Sequence, residues 1–231
     1  ASTDNYAAAG LAAEKMFPLI KARIEAATDA QPVKIVVMNQ DASGESLLSR
    51  GKGFRDMMVK LISEQTKLSR DDIAVIGNTA YIAADSPTRG RKVFIEMIVP
   101  ASTAMTDATN SAQAILNKVV SDRVLGIFCS NEATVKGLLA ATNDGATLKS
   151  NANYRNMVVV GYDAGEAQKN AVRAEYFLGS ITQDPYMIGY RAVELAYKAY
   201  KGQPVADIDT GAKFWDKNNM DDDDIKGLLY D

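Results

Sequence analysis

The amino-acid sequence predicts an α/β protein built on an open parallel sheet with helices on both of its faces. Short apolar runs rich in β-branched residues alternate with longer segments whose apolar residues recur at helical spacing. Such alternation is typical of parallel strands joined by right-handed helical crossovers. The chain has 231 residues, 47% of them hydrophobic and 24% charged, which is an ordinary globular composition.

The predicted strands are short and mostly apolar, which is the pattern of strands buried on both faces. They span residues 33–38, 73–76, 93–99, 124–129, 157–162 and 177–182.

The predicted helices fill most of the segments between these strands. The first follows a capping region at residues 3–5, and Pro18 is expected to kink or split it. A loop is expected at residues 44–50, and a turn-rich connection at residues 83–90. The other helices are expected at residues 54–68, 104–120, 133–141, 166–174 and 185–201.

Composition excludes several classes of protein. A net charge of −3 and a pI near 5.2 argue against a nucleic-acid-binding surface, which needs a clustered basic excess. The chain has no histidine and one cysteine, Cys129, which we expect to be buried. Histidine-dependent catalysis, histidine-ligated metals and an internal disulfide are therefore excluded. Because the chain begins with Ala1 rather than methionine, we expect a protein that is processed, truncated or trimmed of a tag.

Four polar residues stand at the ends of apolar runs or at the starts of helix-like runs. They are Arg50, Asn131, Asp163 and Gln183. In an open α/β sheet such positions converge on one crevice, which is where ligands bind. Each of these side chains can make two hydrogen bonds in a fixed plane, so together they predict a site for a polyol or sugar.

Each of the four also has a purely structural interpretation. Arg50 would be an exposed arginine at a helix start, and Asn131 and Asp163 would be helix N-caps. Gln183 would make a hydrogen bond at a hinge. The capping and binding interpretations of Asn131 are compatible.

Several motifs in chain order resemble those of the sugar-binding proteins of bacterial ABC importers, the ribose-binding group of type I periplasmic binding proteins. The same fold forms the effector-binding core of the lactose-repressor family. The motifs are Thr3-Asp4-Asn5 with Gly10-Leu11-Ala12-Ala13, Arg50-Gly51-Lys52-Gly53-Phe54, Asn131, Gly161-Tyr162-Asp163, Gln183 before Pro185-Tyr186-Met187-Ile188-Gly189, and Thr210-Gly211 through Asn219-Met220-Asp221.

The resemblance implies roles for the four polar residues. Arg50 would donate to two adjacent sugar oxygens, and Asn131 would bind one pair of hydroxyls. Asp163 would accept from two hydroxyls while Arg50 stabilises its charge. Gln183 would contact the ligand at the second crossover between lobes.

It also suggests further contacts with the ligand. Asn5 is expected at the first crossover, with turn chemistry as its alternative. Tyr162 would either stack on a pyranose face or serve as a core tyrosine. Thr103 aligns where the family often has an aromatic or polar contact. Tyr186 and Trp215 are weaker stacking candidates.

The family normally has a further segment before the position of Asp4, which builds an N-terminal lobe. We therefore expect residues 1–183 to form the C-terminal lobe and residues 184–207 to be a helix and strand returning to the other, absent lobe. Residues 208–231 would form the third crossover and closing segment. The stretch 68–91 is longer than the family pattern and would form an extra hairpin or loop.

The implied function is that of an extracytoplasmic solute-binding component of an ABC importer. It would bind a sugar between hinged lobes and present the closed form to a membrane permease. It would lie in the periplasm or be tethered to the cell surface as a lipoprotein. No cofactor, metal or nucleic-acid partner and no enzymatic activity are expected.

Two alternative functions accompany this interpretation, and one segment has an alternative role of its own. One is the effector core of a lactose-repressor-type regulator, although no helix-turn-helix segment is recognised and residues 217–221 resemble the importers more. Another is an enzyme of Rossmann or flavodoxin type, but no Gly-x-Gly-x-x-Gly or Walker A motif follows a strand. Lastly, the acidic run at 221–224 would be a calcium site or, as we favour, a solvated helix start.

The helix at residues 186–201 is expected to lose its packing surface without the other lobe. Its apolar stripe would then promote self-association or pairing with a separate N-terminal lobe. The residues of this stripe are Ile188, Ala192, Leu195, Ala196 and Ala199.

Overall fold

A computed structural model describes residues 1–82 and 87–230. It contains a seven-stranded sheet with strand order β2-β3-β1-β4-β5-β6-β7. All neighbouring strands pair in parallel except β6 and β7, which are antiparallel. The strands are β1 Val33–Met38, β2 Ile73–Gly77, β3 Val93–Ile98, β4 Val124–Cys129, β5 Val158–Tyr162, β6 Gly179–Gln183 and β7 Ala212–Trp215.

Helices cover both faces of the sheet, as the sequence predicts. They are α1 Asn5–Glu25, α2 Glu45–Gln65, α3 Met105–Leu116, α4 Glu132–Ala141, α5 Ala146–Ser150, α6 Glu166–Arg173, α7 Pro185–Tyr200 and α8 Asp223–Lys226, with a 3₁₀ turn at Arg70–Asp72.

Alternate residues of each central strand feed two separate cores. Ile35 and Val37 of β1 pack with α1 and α2, whereas Val36 and Met38 pack with α3, α4 and α6. This period of two is the reason that the strands are apolar throughout. Cys129 is buried in the second core, as expected, and its burial raises the pKa of the thiol.

The order of the strands creates a topological switch point beside β1. The chain leaves β1 for β2 and β3 on one side and then returns to β4 on the other. At such a point the helices on the two sides diverge, and a crevice opens at the carboxyl ends of the strands. The loops after β1 and β4 and the end of β5 all meet there.

Several predicted element bounds were wrong. Helix α1 continues through Pro18 without a break, because Pro18 and Glu14, whose carbonyl loses its donor, are both exposed to water. Helix α2 begins at Glu45, so residues 45–50 are helical rather than a loop. Strand β7 and the short helix α5 were not predicted, whereas the helix start expected in the acidic run at 221–224 is present as α8.

The longer stretch at residues 68–91 contains an edge strand that the sequence predicted, and its described residues after that strand form a loop. Strand β2 lies within it and pairs in parallel with β3. Part of the predicted turn at 83–90 lies outside the described residues. In the acidic run, Asp223 and Asp224 occupy the first turn of α8, and among the described residues no cluster of acidic groups suits a metal.

The predicted crossover segments lie side by side near the chain ends. The N–H of Ser2 donates to the carbonyl of Ile208 at 3.0 Å, and the N–H of Thr210 donates to the carbonyl of Ser2 at 3.0 Å. Beyond the second predicted crossing, helix α7 has no buried residue. None of the helices in the described ranges has the length and apolarity needed to cross a bilayer.

Candidate functional site

The predicted polar residues meet at the carboxyl edge of the sheet. Asn131 follows β4, Asp163 follows β5 and Gln183 ends β6. Arg50 lies in the second turn of α2, the helix that follows β1, and Asn5 is the first residue of α1. We call this group, Asn5, Arg50, Asn131, Asp163 and Gln183, the edge cluster.

Arg50 is the centre of the edge cluster, and its side chain is only 8% exposed. Its Nε donates to Oδ1 of Asn5 at 2.8 Å, and its Nη1 donates to the carbonyl of Ser130 at 2.9 Å. The same Nη1 lies 3.7 Å from Oδ2 of Asp163. The guanidinium also stacks on Tyr162, with Cζ 3.7 Å from the ring centroid. A guanidinium held on several sides has its fork oriented before any ligand arrives.

Two glycines beside Arg50 bring α2 close to its neighbours. A Cβ at Gly53 would lie 2.1 Å from the carbonyl oxygen of Tyr6 in the first turn of α1. A Cβ at Gly51 would lie 2.6 Å from the Tyr81 ring. The spacing Gly51-x-Gly53 therefore serves helix packing, and this packing brings Asn5 to Arg50.

Asp163 has a backbone conformation that residues with side chains seldom adopt, with φ at 74°. Its Oδ1 accepts from Nε2 of Gln183 at 2.9 Å, and its Oδ2 accepts from the N–H of Glu132 at 3.2 Å. Asp163 does not cap α6, because the N-cap of that helix is Gly165. The capping interpretation of Asp163 was wrong.

A buried brace holds Asp163 in this conformation. Its N–H donates to the carbonyl of Ile181 at 2.6 Å. Its carbonyl accepts from Nε2 of Gln168 at 3.1 Å and from Oγ of Ser180 at 2.9 Å. Gln168 fits here because Gly161 has no side chain, since a Cβ there would lie 2.5 Å from the Gln168 amide. Strain maintained by so many bonds is typical of functional sites.

Asn131 has the predicted capping role, and its amide also bonds to the loop after β1. Its Oδ1 accepts from the N–H of Thr134 at 3.1 Å, which caps α4. Its Nδ2 donates to Oε1 of Gln40 at 2.6 Å, in the loop after β1. Thr103 reaches this loop only through its carbonyl, which accepts from Nε2 of Gln40 at 3.4 Å. The Thr103 side chain is therefore at the margin of the site.

The predicted stacking aromatics lie elsewhere. Tyr162 is fully buried under Arg50, so it is a core tyrosine, and its hydroxyl donates to Oδ1 of Asn5 at 3.3 Å. Burial raises the pKa of Tyr162 to about 12. Trp215 has no exposed surface and packs in the second core, so it cannot stack on a ligand. Tyr186 is exposed on α7 and stacks on Tyr190 instead.

Several groups that surround the edge cluster were not predicted from the sequence. They are Gln40, Ser130, Glu132, Gln168 and Tyr230. The first three lie within three residues of the end of a predicted strand, so position offered a signal for them. Tyr230 reaches the site across a long distance in sequence, and Gln168 lies only five residues after Asp163 but within the first turn of α6, where no motif indicates it.

Each charged group in and beside the edge cluster has a neighbour of opposite charge. Arg50 lies against Asp163, and the nearby Glu132 pairs with Lys136 at 2.6 Å. What remains is a set of amide, guanidinium and carboxylate groups that bind hydrogen-bonding ligands in fixed directions. Such an arrangement is suited to a neutral polar ligand rather than to an ion.

Comparison with known proteins places this architecture in a family. Residues 1–204 match the periplasmic binding protein domain. No curated protein sequence matches the chain. A solved structure described as an ABC transporter, LacI family transcriptional regulator from Brachyspira murdochii is 35% identical with a TM-score of 0.80, and the match covers 100% of this chain and 66% of that one.

Two structures from Agrobacterium vitis share the fold. One is an ABC transporter solute-binding protein with bound D-fucose, 23% identical with a TM-score of 0.69, and the match covers 99% of this chain and 63% of that one. The other has bound α-D-tagatopyranose and is 20% identical with a TM-score of 0.68, covering 99% of this chain and 62% of that one. The chain thus spans less than two thirds of the length of these neighbours. By the family match and the fold, it belongs to the type I periplasmic binding proteins, as its motifs predicted.

Proposed function

We propose that this chain is part of a solute-binding protein of an ABC importer and that it binds a sugar or related polyol at the edge cluster. The observation that carries the proposal is the convergence of Arg50, Asp163, Gln183 and Asn131 at the switch point of the sheet. A neutral polyol presents many adjacent hydroxyls, each of which both donates and accepts. A cluster with an oriented fork, a braced carboxylate and two amides matches that chemistry.

The bound ligands of the structural neighbours support the same class. One neighbour was solved with D-fucose and another with α-D-tagatopyranose. Both ligands are neutral sugars, as the cancelled charges of the edge cluster favour.

We further propose a two-lobed arrangement. Residues 1–183 would form the C-terminal lobe, residues 184–207 would return to an N-terminal lobe, and residues 208–231 would cross back. The paired segments at Ser2 and Thr210, and the absence of buried residues on α7, support this division. Closure of the lobes over the sugar would then be read by a membrane permease, in the periplasm or at the cell surface.

A second candidate function is the effector-binding core of a transcription regulator. The neighbour from Brachyspira murdochii, whose description includes the LacI family, favours it. The two candidates differ in cellular location. Immunodetection of the native protein in extracytoplasmic fractions would support the importer component, and its presence with the chromosome would support the regulator.

The proposal is tested by isothermal titration calorimetry of this chain with a panel of aldoses, ketoses and polyols, with amino acids as the control class. We expect one-to-one binding of at least one sugar. Its dissociation constant should be micromolar or higher, because one wall of the cleft belongs to the other lobe. Chromatography of the recovered sugar should show it unchanged, as for a binding protein. Binding of amino acids alone, or conversion of the sugar, would overturn the proposal.

A further inference from the structure

The C-terminal tail returns to the carboxyl edge of the sheet. Helix α8 is anchored by buried Ile225, and Leu229 packs against the second core. The carbonyl of Leu228 accepts from Oγ1 of Thr182 at 3.1 Å. Thr182 directly precedes Gln183, which belongs to the edge cluster. The tail is therefore held by specific contacts beside the site.

Two residues farther on, Tyr230 lies close enough to Asp163, Glu132 and Arg50 for their charges to act on its hydroxyl. The pKa of Tyr230 is raised to about 12, mainly by burial and then by the carboxylates of Asp163 and Glu132, while the Ala164 N–H and Arg50 act in the opposite direction. The side chain is nonetheless 40% exposed. Tyr230 thus borders the edge cluster and still presents surface to an incoming ligand.

This position matters because few aromatic rings near the edge cluster offer an accessible face. Tyr6 is exposed beside Asn5, but its hydroxyl donates to Asp56 of α2 rather than to the edge cluster. Tyr162 is covered by Arg50, and Trp215 is in the core. A sugar has apolar C–H faces as well as hydroxyls, and an aromatic ring with a polar tip matches both. We infer that Tyr230 is a ligand-contacting residue that offers its ring to the C–H face of a sugar and its hydroxyl to a sugar oxygen. The inference rests on the proposed function.

The test compares Tyr230→Ala and Tyr230→Phe with wild type by calorimetry, with D-fucose and D-tagatose as probes. The matched control is Tyr200→Ala, the same substitution at a tyrosine that is 84% exposed at the end of α7. We expect Tyr230→Ala to lower the affinity for whichever probe wild type binds more tightly by about three- to tenfold. Tyr230→Phe, which retains the ring, should lose less affinity than Tyr230→Ala. The control should bind the sugar as wild type does.

A second measurement tests the location of Tyr230 without sugar. The ring carbons of ¹³C-labelled tyrosine are followed by NMR as the pH rises, in wild type and in Asp163→Asn. Because the Asp163 carboxylate raises the pKa of Tyr230, its titration midpoint should fall in the variant. An unchanged midpoint would place the phenol away from Asp163 and overturn the inference.

The outcomes separate the inference from the proposed function. If wild type binds a sugar and Tyr230→Ala binds it equally well, the inference fails while the function stands. If wild type binds neither probe nor any other sugar of the panel, the proposed function fails, and the sugar contact fails with it. Equal urea midpoints of the variants and wild type establish that a loss of binding is not a loss of folding.

Discussion

At the residue scale, the edge cluster is built from buried charges that support one another. Arg50 would be costly to bury alone, but its stacking on Tyr162 and its approach to Asp163 offset that cost. Asp163 in turn is fixed by backbone bonds to Ile181, Gln168 and Ser180. The binding groups are thus oriented before ligand arrives, which lowers the entropy lost on binding.

The buried hydroxyl of Tyr162 makes stability depend on alkaline pH. Its pKa is raised from 10.0 to about 12, so the folded protein holds this proton more tightly than the unfolded chain. The contribution of the protonated Tyr162 hydroxyl to folding stability is therefore complete below pH 10 and is lost as the pH rises through 12. Tyr162→Phe should lose less stability over this range, by on the order of 2 kcal/mol, in urea unfolding at several pH values. Parallel pH profiles for the variant and wild type would contradict this expectation.

The residues of the site were predictable where position alone decides them. Asn131, Asp163 and Gln183 each end a buried strand, and in a parallel sheet those ends must converge. The bonds that fix the Asp163 backbone were not predictable, because Ser180 and Ile181 belong to the neighbouring strand β6 and Gln168 reaches back from α6. Tyr162 had two interpretations in the sequence, and packing against Arg50 decided between them.

At the element scale, the strands were predicted well and the helix ends less well. Buried β-branched runs such as β1 and β4 leave few alternatives to a strand. The start of α2 was missed because serines and glycines between Glu45 and Gly53 lower its local helical preference. Contact with α1 and Tyr81 overrides that preference. Strand β7 has only four residues and an exposed Lys213, so it gave no recognisable period.

Two glycine-to-alanine substitutions should have opposite effects on stability, because Gly53 lies at the close contact between α1 and α2 whereas Gly189 lies in open space. Gly53→Ala should destabilise the fold by about 1–3 kcal/mol, because its Cβ would meet the backbone of Tyr6. Gly189→Ala lies inside α7 with nothing within 4 Å and should stabilise that helix by about 0.5–1 kcal/mol. Urea unfolding of both variants measures the difference. Equal effects would mean that the helices are not so close.

At the scale of the whole molecule, helix α7 buries none of its residues against the rest of the described chain. Its exposed side includes Tyr186, Tyr190, Val193 and Tyr197, a different stripe from the one predicted. The predicted residues Ile188 and Leu195 are only partly exposed, and Ala192, Ala196 and Ala199 are exposed as expected. A helix that leaves apolar side chains in water on more than one side is suited to further association.

We therefore expect this chain to self-associate through α7. Light scattering should give an apparent mass at least twice that of the monomer. Replacing Tyr190 and Tyr197 by aspartate should restore the monomer, whereas Val120→Asp, at an exposed apolar residue outside α7, should not. A well-dispersed wild-type monomer at high protein concentration would contradict the prediction.

The most direct test of the account is sugar affinity in Arg50→Gln, measured by calorimetry beside Arg155→Gln, the same change at an exposed arginine outside the edge cluster. Loss of a charged fork that makes two hydrogen bonds should weaken the best sugar of the panel by roughly ten- to a hundredfold. Arg155→Gln should bind as wild type does, and circular dichroism should show both variants folded. A folded Arg50→Gln protein with wild-type affinity would contradict the claim that the edge cluster is the sugar site.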